Sequence, residues 1–236
     1  MKSQYRIFNQ GLIEVNKELE LNPEASHKIA KVLRLKKGDI LELVNGDGKN
    51  YEAELLELNP KKSLVLIKNA TDNTNPNALN LHLYLAFLKG EALENVLKKA
   101  VELGAKKISL VETQRSERKI NEDKFLRLEN ILISAMLQCG RSEYPKLLPP
   151  LKSLAEAKAE AEINWIFSPH DSEVKTNLQN PKSVAVFIGA EGGFSPEEIK
   201  IALENGWKIK NFGKEILRAD TAAIAAMVMA QIYFAW

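Results

Sequence analysis

From Leu81 onward one rhythm recurs: a short apolar run, then an amphipathic stripe, then another apolar run. Leu81–Leu88 reads as a buried strand. Leu93, Val96, Leu97, Ala100 and Val101 then share one face of a helix that Gly104 stops. Ile108–Val111 is the next strand. Glu122–Gln138 follows as a helix with Phe125, Leu128, Leu132, Ala135 and Met136 on its apolar side. Ile163–Phe167 and Val184–Ile188 are strands, and Ser195-Pro196-Glu197-Glu198 is a capping box with proline in the first helical position. A strand over Trp207–Phe212 and an apolar helix over Thr221–Trp236 complete the pattern. Strands that alternate with helices predict an α/β fold with a mainly parallel sheet.

The first 70 residues keep a different rhythm. Asn22-Pro23-Glu24 reads as a helix start, with Asn as cap and an acid facing the positive end of the dipole. The short helix after it places Ile29, Val32 and Leu33 on one side and Lys28, Lys31 and Arg34 on another. Leu41 and Leu43, then Tyr51, Ala53 and Leu55, alternate with acids around Asn45-Gly46-Asp47-Gly48, a strong hairpin signal. Ser63–Lys68 adds a strand. A small β-rich module with one basic helix is expected here, and the polar run Thr71–Asn77 is the best linker.

Charge is informative only locally. The 33 Lys and Arg nearly balance the 31 Asp and Glu, a net +2, and hydrophobic residues make up 45%, as in an ordinary folded protein. Yet residues 28–37 carry Lys28, Lys31, Arg34, Lys36 and Lys37 with no acid, and Arg115, Arg118 and Lys119 form a second knot, Arg141 and Lys146 a third. Each cluster suits a phosphate backbone or, equally, a solvated face. No apolar run nears the roughly 20 residues of a membrane span. The single cysteine, Cys139, and three scattered histidines match no disulfide framework or zinc spacing. A cytoplasmic, metal-free protein without a signal peptide is expected.

Two glycine turns carry the most chemistry. Gly189-Ala190-Glu191-Gly192-Gly193 joins a strand to the capped helix and fits neither the dinucleotide fingerprint nor a P-loop. Its glycines allow a ligand close to the backbone, and Glu191 disfavours a pyrophosphate but suits hydroxyls, an amine or a positive centre. A plain strand-to-helix connection explains it as well. Gly213–Thr221 leads into the last helix, where Asp220 serves either as N-cap or as a working carboxylate. Arg218 is harder to explain structurally, since helix starts prefer acids.

These motifs together resemble the RsmE family of SPOUT-class methyltransferases, which act on N3 of a uridine in small-subunit (16S) ribosomal RNA. The matching pieces are His27–Leu35 with Gly38-Asp39, Gly46-Asp47-Gly48, Lys89-Gly90, Lys99–Gly104, Thr113–Ser116, Gln138–Arg141 with Pro145, the Gly189–Gly193 turn and Gly213–Thr221. Ala190 stands where the family has proline, and Leu217-Arg218-Ala219-Asp220-Thr221 where it reads Leu-Arg-Thr-Glu-Thr.

The resemblance implies a PUA-like β-barrel that holds RNA over residues 1–72. Over 73–236 it implies a SPOUT domain whose parallel sheet carries a deep trefoil knot, and a homodimer with the last helix at its interface. S-adenosylmethionine is then held by three loops, namely Phe167-Ser168-Pro169-His170, Ile188-Gly189 with Glu191 and Gly192, and Phe212-Gly213 with Ile216, Leu217, Arg218, Thr221 and Ala222. Arg218 orients the uracil and Asp220 takes the imino proton; Glu191 is a second candidate base. Arg6, Lys31, Arg34, Arg115, Gln138 and Arg141 are assigned to RNA. Two rivals remain: another knotted methyltransferase that modifies transfer RNA or a ribose 2′-hydroxyl, and a ribosome-binding protein without catalysis.

Overall fold

The structure, a computed structural model, describes residues 5–75, 78–116, 122–169 and 180–234. Arg118, Lys119, His170 and Trp236 lie outside them. The chain forms two compact units, one of Met1–Pro76 with Met136–Tyr144, the other of Asn77–Ala135 with Pro145–Trp236.

In the first unit the strands β1 (Arg6–Phe8), β2 (Glu18–Glu20), β3 (Ile40–Val44), β4 (Lys49–Glu57) and β5 (Leu64–Asp72) make one sheet in the order β1-β3-β4-β5-β2. Only β1 and β3 run parallel. Alternation seals one face: Leu41, Leu43, Tyr51, Ala53, Leu55, Val65 and Ile67 are buried together with Ile7, Leu21, Ile29 and Leu35. The β3–β4 turn is built from its own side chains. Asn45 Oδ1 accepts from Asp47 N at 3.1 Å, and Asp47 accepts from Lys49 N and from the Tyr51 hydroxyl. Gly46 has φ +93°, and a Cβ there would lie 2.5 Å from the Tyr144 ring, so only glycine fits. The expected strand end is overrun, since β5 continues through Asp72 into the supposed linker.

The helix α1 (Pro23–His27) starts as read, with Asn22 Oδ1 accepting from Ala25 N at 2.8 Å. It does not continue as an α-helix. Lys28–Val32 is a π turn, closed by Leu33 N on the Lys28 carbonyl at 2.9 Å. The wider turn breaks the expected apolar stripe: Ile29 is buried, but Val32 is turned out to solvent.

The second unit is the predicted α/β layer. Its elements are β6 (Asn80–Ala86), α2 (Gly90–Glu102), β7 (Ala105–Val111), α3 (Glu122–Cys139, whose last turn from Met136 counts with the first unit), β8 (Lys146–Leu151), β9 (Ile163–Phe167), β10 (Ser183–Ile188), α4 (Pro196–Glu204), β11 (Lys208–Lys210) and α5 (Ala219–Phe234). The sheet order is β11-β9-β10-β6-β7-β8, every neighbour pair parallel. β8, unexpected in the sequence, contains Pro149 and Pro150; it survives because it is an edge strand. One core gathers Tyr84, Phe187, Ile166, Ile199, Ala202 and Trp207. α5 lies against β10, β6 and α2. The strand order reverses between β6 and β10, the place where open parallel sheets bind ligands outside their carboxyl ends.

Candidate active site

Three loops leave the carboxyl ends of β9, β10 and β11 side by side. The first is pinned where Ser168 N donates to the Lys210 carbonyl at 3.1 Å. Phe167 stacks on Phe212 with ring centroids 4.6 Å apart and planes 16° from parallel, which ties the first loop to the third. A cleft opens beside this stack, lined by Phe167, Ser168, Pro169, Asn211, Phe212, Glu215, Leu217 and Ala222. Its walls are aromatic and aliphatic with a few polar groups, the usual lining of a small-molecule site.

The second loop is a tight reversal. Gly193 N donates to the Ala190 carbonyl at 2.8 Å, with Gly193 at φ +69°. A Cβ on Gly189 would stand 3.2 Å from the Gly193 backbone and the Phe194 ring, so the turn closes on itself there. Glu191 points back across the switch point, its Oε1 accepting from Lys89 N at 3.1 Å just before α2. That carboxylate therefore satisfies a helix-start donor as well as facing the neighbouring cleft of Ala92, Ile216, Leu217, Arg218, Ala219 and Asp220.

α5 begins at Ala219, with Ala222 N bonded to the Arg218 carbonyl at 2.8 Å. Asp220 therefore lies inside the first helical turn, and its reading as N-cap falls; Arg218 is the residue that hands over its carbonyl. The Asp220 carboxylate accepts from Thr221 N at 2.9 Å and stands 3.6 Å from Arg218 Nε. The Arg218 side chain is 83% exposed against 21% for Asp220, so one is free to reach a ligand while the other is held. Both border a further polar recess formed by Glu91, Glu94, Asn95 and Lys98 of α2.

The expected residues thus divide. Phe167, Ser168, Pro169, Phe212, Leu217 and Ala222 line the first cleft, and Glu191, Ile216, Leu217, Arg218 and Asp220 the second. Ile188 is buried at the end of β10. Gly189, Gly192, Gly213 and Thr221 belong to the loop frames and the first turn of α5. Asn211 and Glu215 were missed, although Asn211 directly follows a strand end, the position that should have pointed to it.

Of the basic residues, Lys31 and Arg34 are exposed, as is Gln138. Arg141 is half-buried, and desolvation lowers its pKa below the ordinary value. Arg6 and Arg115 also have partners within the protein. Arg6 donates to the carbonyls of Gly140 and Arg141, to Ser142 Oγ and to Asn50 Oδ1, and lies 3.4 Å from Glu42. Both terminal nitrogens of its guanidinium are thus engaged within the first unit. Arg115 gives Nη1 to the carbonyls of Gly192 and Phe194 at 2.7 and 3.3 Å. Among the described residues no cluster of His, Cys, Asp and Glu suits a metal ion, and no helix is long and apolar enough to cross a membrane.

The chain is similar to known proteins over nearly its whole length. Residues 75–231 match the model of the RNA methyltransferase domain, and residues 21–68 that of the RNA methyltransferase PUA domain. The ribosomal RNA small subunit methyltransferase E of Buchnera aphidicola subsp. Schizaphis graminum is 31% identical over 236 residues, covering 97% of this chain and 96% of its own. Among solved structures, a Legionella pneumophila protein in complex with bound SAM is 34% identical with a TM-score of 0.87, over 98% of both chains. The ribosomal RNA small subunit methyltransferase E from Neisseria gonorrhoeae, bound to S-adenosyl methionine, also has a TM-score of 0.87, at 27% identity and 98% coverage of both chains. The matched domains define an RNA methyltransferase carrying a PUA domain. Within that class, the chain belongs to the family of ribosomal RNA small subunit methyltransferase E.

Proposed function

We propose that this protein transfers a methyl group from S-adenosylmethionine to N3 of a uridine in 16S ribosomal RNA. The observation that carries the reading is the convergence of the β9, β10 and β11 loops on clefts that end at Arg218 and Asp220. The residues present suit the cofactor: flat aromatic and aliphatic walls at Phe167, Phe212, Leu217 and Ala222 for a purine, and carboxylates at Glu191 and Glu215 for cationic groups. When bound, S-adenosylmethionine supplies an electrophilic methyl group.

The chain's own residues do the rest. Positioning the base in line with the methyl can account for much of the acceleration, up to roughly 7–11 kcal/mol in ideal cases. Asp220, directly or through water, would take the N3 proton that must leave for methylation. Arg218 stays protonated and cannot be that base; its exposed guanidinium holds the charge that develops on a uracil oxygen. Residues 1–72 hold RNA and residues 73–236 carry the chemistry, with Lys31, Arg34, Gln138 and Arg141 as contacts. The reading includes a deep trefoil knot in the second part, as the family resemblance implies. It also includes a homodimer in the cytoplasm that needs no metal. The partly exposed apolar side of α5, with Ile232 at 59% and Tyr233 at 62%, supports a second copy covering it.

The test is transfer of labelled methyl from S-adenosylmethionine to small ribosomal subunits lacking the modification, followed by nucleoside analysis. Label in N3-methyluridine is expected. Label in a ribose methyl ether, or none on any ribosomal RNA despite cofactor binding, would reject the reading.

A further inference from the structure

The loop Gly189–Phe194 makes few bonds of its own, a single reversal bond from Gly193 N to the Ala190 carbonyl. Its shape is set from the neighbouring Thr113–Ser116 turn, at the end of β7. That turn is first fastened to itself: Ser116 Oγ accepts from Thr113 N at 3.0 Å and donates to the Thr113 carbonyl at 2.9 Å. It is then fastened to α4. Glu198 is buried; one carboxylate oxygen accepts from Ser195 N, completing the capping box, while the other accepts from Gln114 N at 2.8 Å. From this anchored turn Arg115 reaches over the glycine loop. One nitrogen, Nη1, collects the carbonyls of Gly192 at 2.7 Å and Phe194 at 3.3 Å. Its aliphatic stem lies on Gly192, where an added Cβ would come within 3.2 Å of Cδ and 3.3 Å of Cβ. Gly192 lies outside the left-handed region, so its lack of a side chain serves this approach rather than a backbone twist.

We propose that Arg115 is a positioning residue for cofactor binding, a clamp that presets the Gly189–Phe194 loop from the Thr113–Ser116 turn. This rests on the reading that the loop holds S-adenosylmethionine. A preformed loop binds without first having to be ordered, so loosening the clamp weakens the cofactor and leaves RNA untouched. A charge-assisted pair of bonds of this kind corresponds to about a tenfold change in affinity.

The experiment is calorimetric titration of the full-length protein with S-adenosylmethionine, beside RNA binding across a salt series and a thermal melt. Arg115→Ala is expected to weaken cofactor binding about tenfold, with an unchanged salt slope for RNA and an unchanged Tm. Arg115→Lys, whose shorter stem and compact ammonium do not reproduce the reach and planar fork of the guanidinium, should recover only part of the loss. Gly192→Ala should weaken binding in the wild type and add little in the Arg115→Ala background. Wild-type cofactor affinity in Arg115→Ala, whether or not the RNA slope falls, would overturn the clamp alone, as would full additivity of the two changes. Absence of cofactor binding by the wild type would overturn the clamp together with the proposed function.

Discussion

Arg6 holds Ser142, 136 residues further along the chain: its Nη2 donates to the serine hydroxyl at 2.7 Å and to the Arg141 carbonyl at 2.6 Å. Nη1 adds the Gly140 carbonyl, and Asn73 Nδ2 bonds the same carbonyl and the same hydroxyl. Ser142 is buried, and it also donates to Asn50 Oδ1. Arg6→Met would strip several acceptors of their donor at once. We expect a loss of about 2–3 kcal/mol, from the cost of leaving such groups unmatched. A thermal melt should show it as a lower Tm, while the salt slope of RNA binding stays as in the wild type. A shallower slope with unchanged Tm would restore Arg6 to the RNA surface.

Arg218 and Asp220 make the opposite case. Their ion pair is loose and Arg218 is 83% exposed, so it contributes little to stability. Arg218→Ala should melt like the wild type and bind S-adenosylmethionine, yet turn over about 10²–10³ times more slowly, as when one stabiliser of a developing anion is removed. Asp220→Asn should keep binding and slow turnover by about 10²–10⁴-fold, the share of a general base. Full turnover in Arg218→Ala would remove it from the mechanism.

What the sequence made legible was whatever a local pattern encodes. The β3–β4 hairpin followed from alternation about the Asn45–Gly48 turn, and the caps at Asn22 and Ser195 from side-chain chemistry. Two of the three loops, Gly189–Gly193 and Gly213–Thr221, were legible as glycine turns at strand ends, whereas Phe167–His170 has no glycine and came only from the resemblance. Strands of three residues, β1 and β2, are too short for any period to show. β8 was hidden because two prolines argue against a strand unless its edge position is already known. The use of Arg6, Arg115 and Glu191 depended on partners about 77 to 136 residues away, and charge alone cannot tell a guanidinium facing solvent from one facing carbonyls.

His82 links the sheet to pH. It lies in β6 with Nε2 2.9 Å from Ser109 Oγ and its ring 4.1 Å from that of Tyr84. Burial first, then the charge of Lys107, pushes its pKa down from 6.5 to about 3. The unfolded chain therefore binds the extra proton between these values. Stability is flat above about pH 6.5 and falls as the pH drops towards 3, with a slope of at most about 1.4 kcal/mol per pH unit from this group. His82→Gln, which can still bond Ser109, should flatten that part of the curve in urea unfolding between pH 4 and 7. Parallel curves for the two proteins would mean that His82 is protonated in the fold.

Arg34 is the residue where stability and RNA binding are expected to part. It ends the π turn at φ +54°, in the left-handed region, while Leu35 N closes on the Ile29 carbonyl at 2.9 Å. Glycine is the usual choice at such a stop, because an L side chain there costs roughly 1–2 kcal/mol. A long cation kept in that position, with its side chain in solvent beside Lys31, is a cost to the fold that the fold itself does not use. Arg34→Gly should therefore stabilise the protein, by about 0.5–1 kcal/mol after the greater freedom of glycine in the unfolded chain is set against the relief. The same change should weaken RNA binding at low salt and reduce the log–log salt slope by about 0.7–0.9, the share of one phosphate contact, with a similar step for Lys31→Gln. The two readouts move in opposite directions, which no general unfolding of the module can mimic. Higher Tm with an unchanged RNA slope would return Lys31 and Arg34 to a merely solvated face.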